Sequence, residues 1–104
     1  MKPLKFIGSA QEDLKAFDVD AKREAGFDLW QVQLGLMPRD FKSMSTVGAG
    51  AYEIRIKTGT EWRVIYVANR SSAVYVLHCF QKTTQKTPKP DIDLAKRRYK
   101  LVGD

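Results

Sequence analysis

The sequence has very few residues that could hold a metal or form a disulfide. Its 104 residues include one cysteine, Cys79, and one histidine, His78. A single cysteine can form neither an internal disulfide nor a cysteine-based metal site, and a single histidine cannot supply a paired-histidine zinc site. Both residues lie within an apolar segment, so we expect them to be core residues.

Long apolar segments are missing as well. No run of the sequence approaches the ~18 apolar residues that a membrane span needs. The segment Met1–Ile7 turns polar at Gly8 and lacks the long apolar middle of a secretion signal. We therefore expect no membrane association and a cytoplasmic location.

The common hydrolytic motifs are also absent. Gly48-Ala49-Gly50 is too short for a phosphate-binding glycine loop and has no lysine. The serines cluster in turns, so no Ser/His/Asp set can be assembled, and most acidic residues lie on two predicted helices rather than converging as in a two-metal nuclease. What remains is metal-free chemistry that uses lysine and arginine.

Positive charge is abundant and unevenly placed. The formal net charge is +6, and Lys82 to Lys100 carries seven lysines and arginines against Asp91 and Asp93. A local excess of this kind attracts nucleic acid, acidic proteins or anionic lipid, although it can also be an ordinary solvated surface.

The length of the chain predicts a single domain covering residues 1–104. Hydrophobic spacing predicts the following elements: a strand at Leu4–Ile7, a helix from Ser9 to about Phe17, a helix from Asp18 to Gly35, a loop over residues 35–50, strands at Tyr52–Lys57, Trp62–Ala68 and Ala73–Phe80, and a helix that begins near Pro88 and Pro90. The middle strand of the last three should be central, and the third should be covered on both faces. This order predicts an α+β fold in which helices pack on an antiparallel sheet.

Helix signals add local detail. Ser9 and Glu12 match a capping box, and Asp18 is a candidate cap for the second helix. Apolar residues at helical spacing predict the buried faces of the two longer helices. They are Ala21, Phe27, Trp30 and Leu34 in the second helix, and Ile92, Ala95, Tyr99 and Val102 in the last.

A cluster of cations is predicted on one face of the sheet. Arg55 and Lys57 share a strand face, and Arg63 lies across the Thr58–Thr60 hairpin turn, where it joins them if its side chain points the same way. Glu53 and Glu61 could balance these charges, which would make the face an ordinary polar surface. The alternative is a phosphate clamp, for which arginine suits because its planar guanidinium grips two oxygens at once.

A second basic segment follows the last strand. It contains Lys82 and Lys86, separated by the polar residues Thr83–Gln85, and it begins at Phe80, whose ring could stack on a base or pack in the core. Both basic groups together fit RNA cleavage, because the nucleophile can then be the 2′-hydroxyl of the substrate.

Several segments resemble one known group of proteins. They are Gly35-Leu36-Met37-Pro38, Lys42, Gly48 to Arg55, Trp62 to Tyr66, Phe80-Gln81-Lys82, Thr87-Pro88 and Leu94 to Arg98. Together they resemble the HigB-like, phage-derived branch of the RelE/ParE toxin superfamily. The resemblance implies a RelE-like fold, ribosome-dependent mRNA cleavage in the A site of the 30S subunit, and no metal or organic cofactor. It also implies a helix-turn-helix antitoxin, similar to HigA, as partner.

The resemblance also implies roles for individual residues. Arg55, Arg63 and Lys82 become the candidate catalytic residues. The candidate RNA-binding residues are Lys42, Lys57, Phe80 and Lys86. Two departures are visible: Thr83 stands where relatives often carry a second lysine, and Tyr99 lies on the apolar side of the last helix, so that the general base is unassigned.

Two alternative functions stay open at the level of the sequence. A ParE-like inhibitor of DNA gyrase would share the fold and the strand arginines, and a non-catalytic RNA-binding module would share the basic surface. We expect the side chains of Arg63 and Lys82 to face solvent, so that replacing either by alanine reduces toxicity and leaves the fold intact.

Overall fold

A computed structural model describes residues 1–104 and contains three helices and five strands. The elements are β1 (Leu4–Phe6), α1 (Ala10–Lys15), α2 (Val19–Gln33), β2 (Phe41–Ser43), β3 (Ala51–Lys57), β4 (Glu61–Val67), β5 (Val74–Lys82) and α3 (Lys89–Tyr99). The strands form one sheet in the order β1-β5-β4-β3-β2. The predicted α+β class and the central place of β4 are confirmed.

The sheet is mixed rather than purely antiparallel. Strand β1 runs parallel to β5, with Leu4 opposite Val74, whereas the other neighbouring strands are antiparallel. A parallel pair needs a long crossover connection, and α1, α2 and three strands separate β1 from β5 in the chain. The prediction of an antiparallel sheet therefore holds for β2 to β5 only.

Strand β2 lies within residues 35–50, which the sequence predicted to be a loop. Its three residues pair with β3, so that Phe41 lies opposite Ile54 and Lys42 lies opposite Glu53. All three are exposed at the edge of the sheet. A strand this short has too few residues for an alternating pattern to stand out from a loop.

The sheet is covered on both faces, as predicted for β5. One core lies between the sheet and the first two helices and includes Leu29, Ile54 and Val76. The second lies under α3 and includes Ile65, Leu77 and Ala95. Cys79 is buried in the first core, as expected, and the predicted apolar side of α3 packs against the second.

The buried face of α2 differs from the prediction. Ala21 is buried as expected, but Trp30 is 47% exposed, and Phe27 and Leu34 are exposed to a similar degree. The residues of α2 that face the core are Ala21, Ala25, Asp28, Leu29 and Val32. The small alanines let the helix lie close to the sheet, so this face packs more tightly than a face of large rings would. As a result, the three large side chains lie on the exposed side of α2.

The two predicted helix caps have different outcomes. The Asp18 carboxylate accepts a hydrogen bond from the Ala21 amide at 2.8 Å and caps α2 as predicted. No capping box forms at α1, because the Ser9 hydroxyl donates to the Asp13 carboxylate instead of accepting from a backbone amide. None of the helices is both long enough and apolar enough to cross a membrane.

Candidate functional site

An open cavity of about 310 Å³ lies at the end of the sheet where the β3–β4 hairpin turns. We call it the basic pocket. Ten residues line it, none of them apolar: Lys42, Glu53, Arg55, Lys57, Glu61, Arg63, Lys82, Gln85, Lys86 and Thr87. Six are cations and two are carboxylates, so the pocket has a net charge of about +4 at neutral pH.

Strand pairing explains why these residues meet. Arg55 lies directly opposite Arg63, Lys57 lies opposite Glu61, and Glu61 lies opposite Lys82 on the other side. Residues two apart on a strand share a face, so all five side chains belong to the face of the sheet that α3 covers further along. The loop after β5 then adds three more polar residues at positions 85–87.

Six of the seven site residues predicted from the sequence line this pocket. They are Arg55, Arg63 and Lys82 from the catalytic set, and Lys42, Lys57 and Lys86 from the RNA-binding set. Phe80 does not line it. Its ring stacks on that of His78 with centroids 4.6 Å apart and packs against the second core, so the structure places it with the core rather than in the pocket.

The predicted exposure of Arg63 is wrong. Its side chain is only 3% exposed, while that of Lys82 is partly exposed. Arg63 Nη1 donates to the Trp62 carbonyl at 3.0 Å, Nη2 donates to Glu61 at 2.5 Å, and Nε faces the Glu53 carboxylate at 3.4 Å. The sequence placed Arg63 across the hairpin from Arg55 but could show neither which way its side chain points nor that it is buried beside two carboxylates.

Glu53 is the pocket residue whose importance the sequence understated. It is 2% exposed, and besides facing Arg63 it accepts a hydrogen bond from the Thr87 hydroxyl at 2.7 Å. A buried carboxylate is costly unless it is paired, and these two contacts supply the partners. The Lys-Thr-Pro segment thus places Thr87 on Glu53 and Pro88 at the N-cap of α3.

Ion pairing divides the cations of the pocket into two groups. Arg63 pairs with both glutamates, and Arg55 lies 3.8 Å from Asp40, whereas the four lysines form no ion pair. Lys82 Nζ donates to the Gln85 carbonyl, and this hydrogen bond holds the ammonium group of Lys82 at the mouth of the pocket. The lysines therefore supply the charge that is free to meet an anionic ligand.

The carboxyl of Glu61 is perturbed by this environment. The hydrogen bond from Arg63 lowers its pKa below the usual value, and the positive charges of Arg63, Lys82 and Lys57 add to the effect. Partial burial opposes the shift but does not cancel it. Glu61 is consequently ionised at neutral pH and is a weak proton acceptor.

Other candidate groups lie outside the basic pocket. His78 is buried, as expected, and its Nε2 lies 2.6 Å from the Asp91 carboxylate on α3. The Tyr99 hydroxyl donates to the Ala49 carbonyl at 2.7 Å, and a side chain at Gly48 would collide with its ring. Both side chains hold α3 in place. No group of three or more His, Cys, Asp or Glu side chains converges in the structure.

A second cavity, of about 240 Å³, has a different character. It lies by the C-terminal end of α2 and is lined mainly by apolar side chains, including those of Leu36 and Met37. Its one charged residue, Lys2, already donates to the carbonyls of Ala68 and Arg70. This cavity offers no free charge to a phosphate, so the basic pocket is the better candidate site.

Comparison with known proteins identifies the family of the chain. The family model described as "Phage derived protein Gp49-like" matches residues 12–100, a range that contains every residue of the basic pocket. No curated protein matches the chain. The chain belongs to the Gp49-like family of phage-derived proteins, which is a family of RelE/HigB-like toxins of toxin-antitoxin pairs.

Proposed function

We propose that this protein is the toxin of a type II toxin-antitoxin pair and acts as a metal-independent endoribonuclease on mRNA in the ribosomal A site. The observation that carries the proposal is the basic pocket, in which one arginine is fixed by buried partners while four lysines keep free charge. A pocket of this kind suits a chain of phosphates, since several anionic groups must be neutralised at once.

The proposed reaction takes its nucleophile from the substrate. The 2′-oxygen of a ribose attacks the adjacent phosphorus, and the bond from phosphorus to the 5′-oxygen of the next nucleotide breaks. The products are a 2′,3′-cyclic phosphate and a free 5′-hydroxyl. One proton must leave the 2′-hydroxyl, and one must reach the departing 5′-oxygen.

The arginines are suited to the charge that develops on the phosphate. Arg63 is held by the Trp62 carbonyl and by Glu53, and Arg55 lies opposite it on β3. Because Arg63 is already oriented, it needs little rearrangement when the negative charge appears. One well-placed donor of this kind contributes about 3 to 4 kcal/mol in comparable sites.

Lys82 is the side chain that we assign to proton transfer. It is partly exposed and lines the pocket, and it would donate a proton to the departing 5′-oxygen. Glu53 is 2% exposed and is bound by Arg63 and Thr87, so its role is to hold Arg63 rather than to accept a proton. The proton of the 2′-hydroxyl would pass to solvent water, and solvent would restore the proton on Lys82 after product release.

The remaining cations would bind the RNA on either side of the cleaved bond. Lys42, Lys57 and Lys86 are exposed and line the pocket from β2, β3 and the loop after β5. Phe80 packs against the second core and does not line the pocket, so we assign it no contact with the substrate.

The partners follow from the proposed reaction. Family membership implies an antitoxin, which we propose to be a helix-turn-helix protein similar to HigA. The site of action would be the 30S A site, and hence the cytoplasm. The antitoxin would protect the host by keeping the toxin from ribosomes.

Induction of the protein in a bacterium tests the proposal. We expect growth to stop and transcripts to be cut within translated codons, and we expect Lys82→Ala to lose both effects. Lys96→Ala is the matched control, because Lys96 is exposed on α3 and does not line the pocket. It removes the same charge and should remain fully toxic.

Three results would contradict the proposal. Normal growth with intact transcripts, although the folded protein accumulates, would exclude an mRNA-cleaving toxin. Loss of DNA supercoiling with intact transcripts would favour a gyrase inhibitor. RNA binding that weakens in Lys82→Ala, without cleavage by either protein, would favour a non-catalytic binding module.

A further inference from the structure

Glu61 occupies an unusual position for an acidic residue. It is the first residue of β4, with Lys57 directly opposite on β3 and Lys82 directly opposite on β5. Arg63 lies two residues further along the same strand and on the same face. The carboxylate of Glu61 is thus surrounded by three cations at the place where an anionic ligand would enter.

The contacts of Arg63 show which of its partners can move. The Trp62 carbonyl is part of the β4 backbone, and Glu53 is 2% exposed and bound by Thr87. Glu61, in contrast, is 46% exposed, and its carboxylate is held by the one contact to Arg63 Nη2. Glu61 is therefore the only partner of the guanidinium that can move into solvent. Displacing Glu53 or the Trp62 carbonyl would leave a buried polar group without a partner.

We propose that Glu61 is a displaceable counter-ion, whose carboxylate occupies the position that one substrate phosphate takes on Arg63 between Lys57 and Lys82. Carboxylate and phosphodiester oxygens are both anionic acceptors that a guanidinium binds in similar geometry. RNA must therefore move Glu61 aside before its phosphate can contact Arg63. The inference rests on the proposed function and specifies how the same pocket selects its substrate.

This exchange favours a chain of phosphates over a single one. At Arg63 one charge-assisted hydrogen bond replaces another, so the net gain at that point is small. A polymer gains further free energy from the free lysines Lys42 and Lys86, which meet its neighbouring phosphates. A lone inorganic phosphate has no such additional contacts and should compete poorly for the pocket.

The test compares Glu61→Gln with the wild-type chain and with Asp93→Asn. Asp93 is the matched control because it is a surface carboxylate in an ion pair, with Lys89 at 2.9 Å, and it lies outside the pocket. A hydrogen bond from Lys89 lowers the pKa of Asp93, just as a hydrogen bond from Arg63 lowers the pKa of Glu61. The probe is a short single-stranded RNA made non-cleavable by 2′-O-methyl groups, and binding is measured by fluorescence anisotropy over a range of salt concentrations.

We expect Glu61→Gln to bind the RNA about tenfold more tightly than wild type, as removal of one competing charge-assisted contact allows. The plot of log affinity against log salt should become steeper by up to about 0.7, because RNA binding no longer frees a carboxylate that takes up a cation in exchange. Glu61→Ala should change in the same direction. Asp93→Asn should stay within about twofold of wild type, without a change in slope, because it removes only distant charge.

Two results would overturn the inference. Weaker binding by both Glu61 variants, with circular dichroism unchanged, would show that Glu61 orients Arg63 for the substrate. Affinity and slope equal to those of Asp93→Asn would show that Glu61 acts through net charge alone. Cleavage of translated mRNA by the wild-type chain is scored separately, so tighter binding by Glu61→Gln without any cleavage would refute the proposed function and not this inference.

Discussion

The buried pairing of Arg63 with Glu53 makes a strong prediction about Arg63→Ala. The two side chains are 3% and 2% exposed, and their charged atoms lie 3.4 Å apart. Removal of the arginine leaves a buried carboxylate whose remaining hydrogen bond comes from Thr87. Breaking a buried pair in this way costs about 3 to 5 kcal/mol of unfolding free energy.

Proton uptake limits this cost. An unpaired buried carboxyl can become neutral, which at pH 7 costs an ordinary glutamate about 3.7 kcal/mol. We therefore expect Arg63→Ala to lose about 3 to 4 kcal/mol at pH 7, a large part of the 5 to 15 kcal/mol typical of a domain.

Urea unfolding followed by tryptophan fluorescence measures this loss, and Arg55→Ala is the control. Arg55 lies directly opposite Arg63 on the same sheet face, but it is 35% exposed and 3.8 Å from Asp40, so its removal should cost at most about 1 kcal/mol. The double variant Arg63→Met with Glu53→Leu should recover most of the loss, since it leaves no charge buried. An Arg63→Ala variant as stable as Arg55→Ala would refute the reasoning.

Three further predictions concern other parts of the molecule. Burial raises the pKa of the Cys79 thiol to about 12, so a thiol reagent should label it only as fast as the protein unfolds. Leu29→Ala should lower the free energy of unfolding in urea by about 2 to 5 kcal/mol, because Leu29 is 1% exposed. Trp30→Ala should lower it much less, because the neighbouring Trp30 is 47% exposed. Equal losses would contradict the orientation of α2. Thr87→Val should lower the cleavage rate because Glu53 loses its hydrogen bond, whereas Thr87→Ser should retain most of the rate.

The alternating pattern of the strands predicted much of the basic pocket. It gave the common face of Arg55 and Lys57, because alternation fixes which side of a strand each residue takes, and it placed Arg63 across the hairpin from them. It could not give burial, which depends on what covers that face. Thr87 reaches Glu53 across 34 positions of sequence, and no local pattern reports a contact of that range.

The orientation of α2 illustrates a second limit. Helical spacing admits one stripe of large residues, with Trp30 and Leu34, and another of smaller ones, with Ala25 and Leu29. The choice depends on how closely the sheet lets the helix approach, and here the smaller stripe faces the core. Size of side chain was therefore a misleading guide to burial in this helix.

The burial of Arg63 also determines how its charge can contribute to function. A guanidinium fixed by the Trp62 carbonyl and by Glu53 has one orientation, so it adds little to the attraction of RNA from a distance and much to the precision of a contact. The exposed lysines have the opposite properties, because their charge is unpaired but their side chains are mobile. Salt dependence separates the two roles: loss of Lys42 or Lys86 should reduce the salt slope by about 0.7 each, while removal of Glu61 should raise it. If all the cations of the pocket contributed equally, the contact between Glu61 and Arg63 would not matter for binding. Removal of Glu61 would then change the affinity for RNA no more than removal of a distant acidic residue.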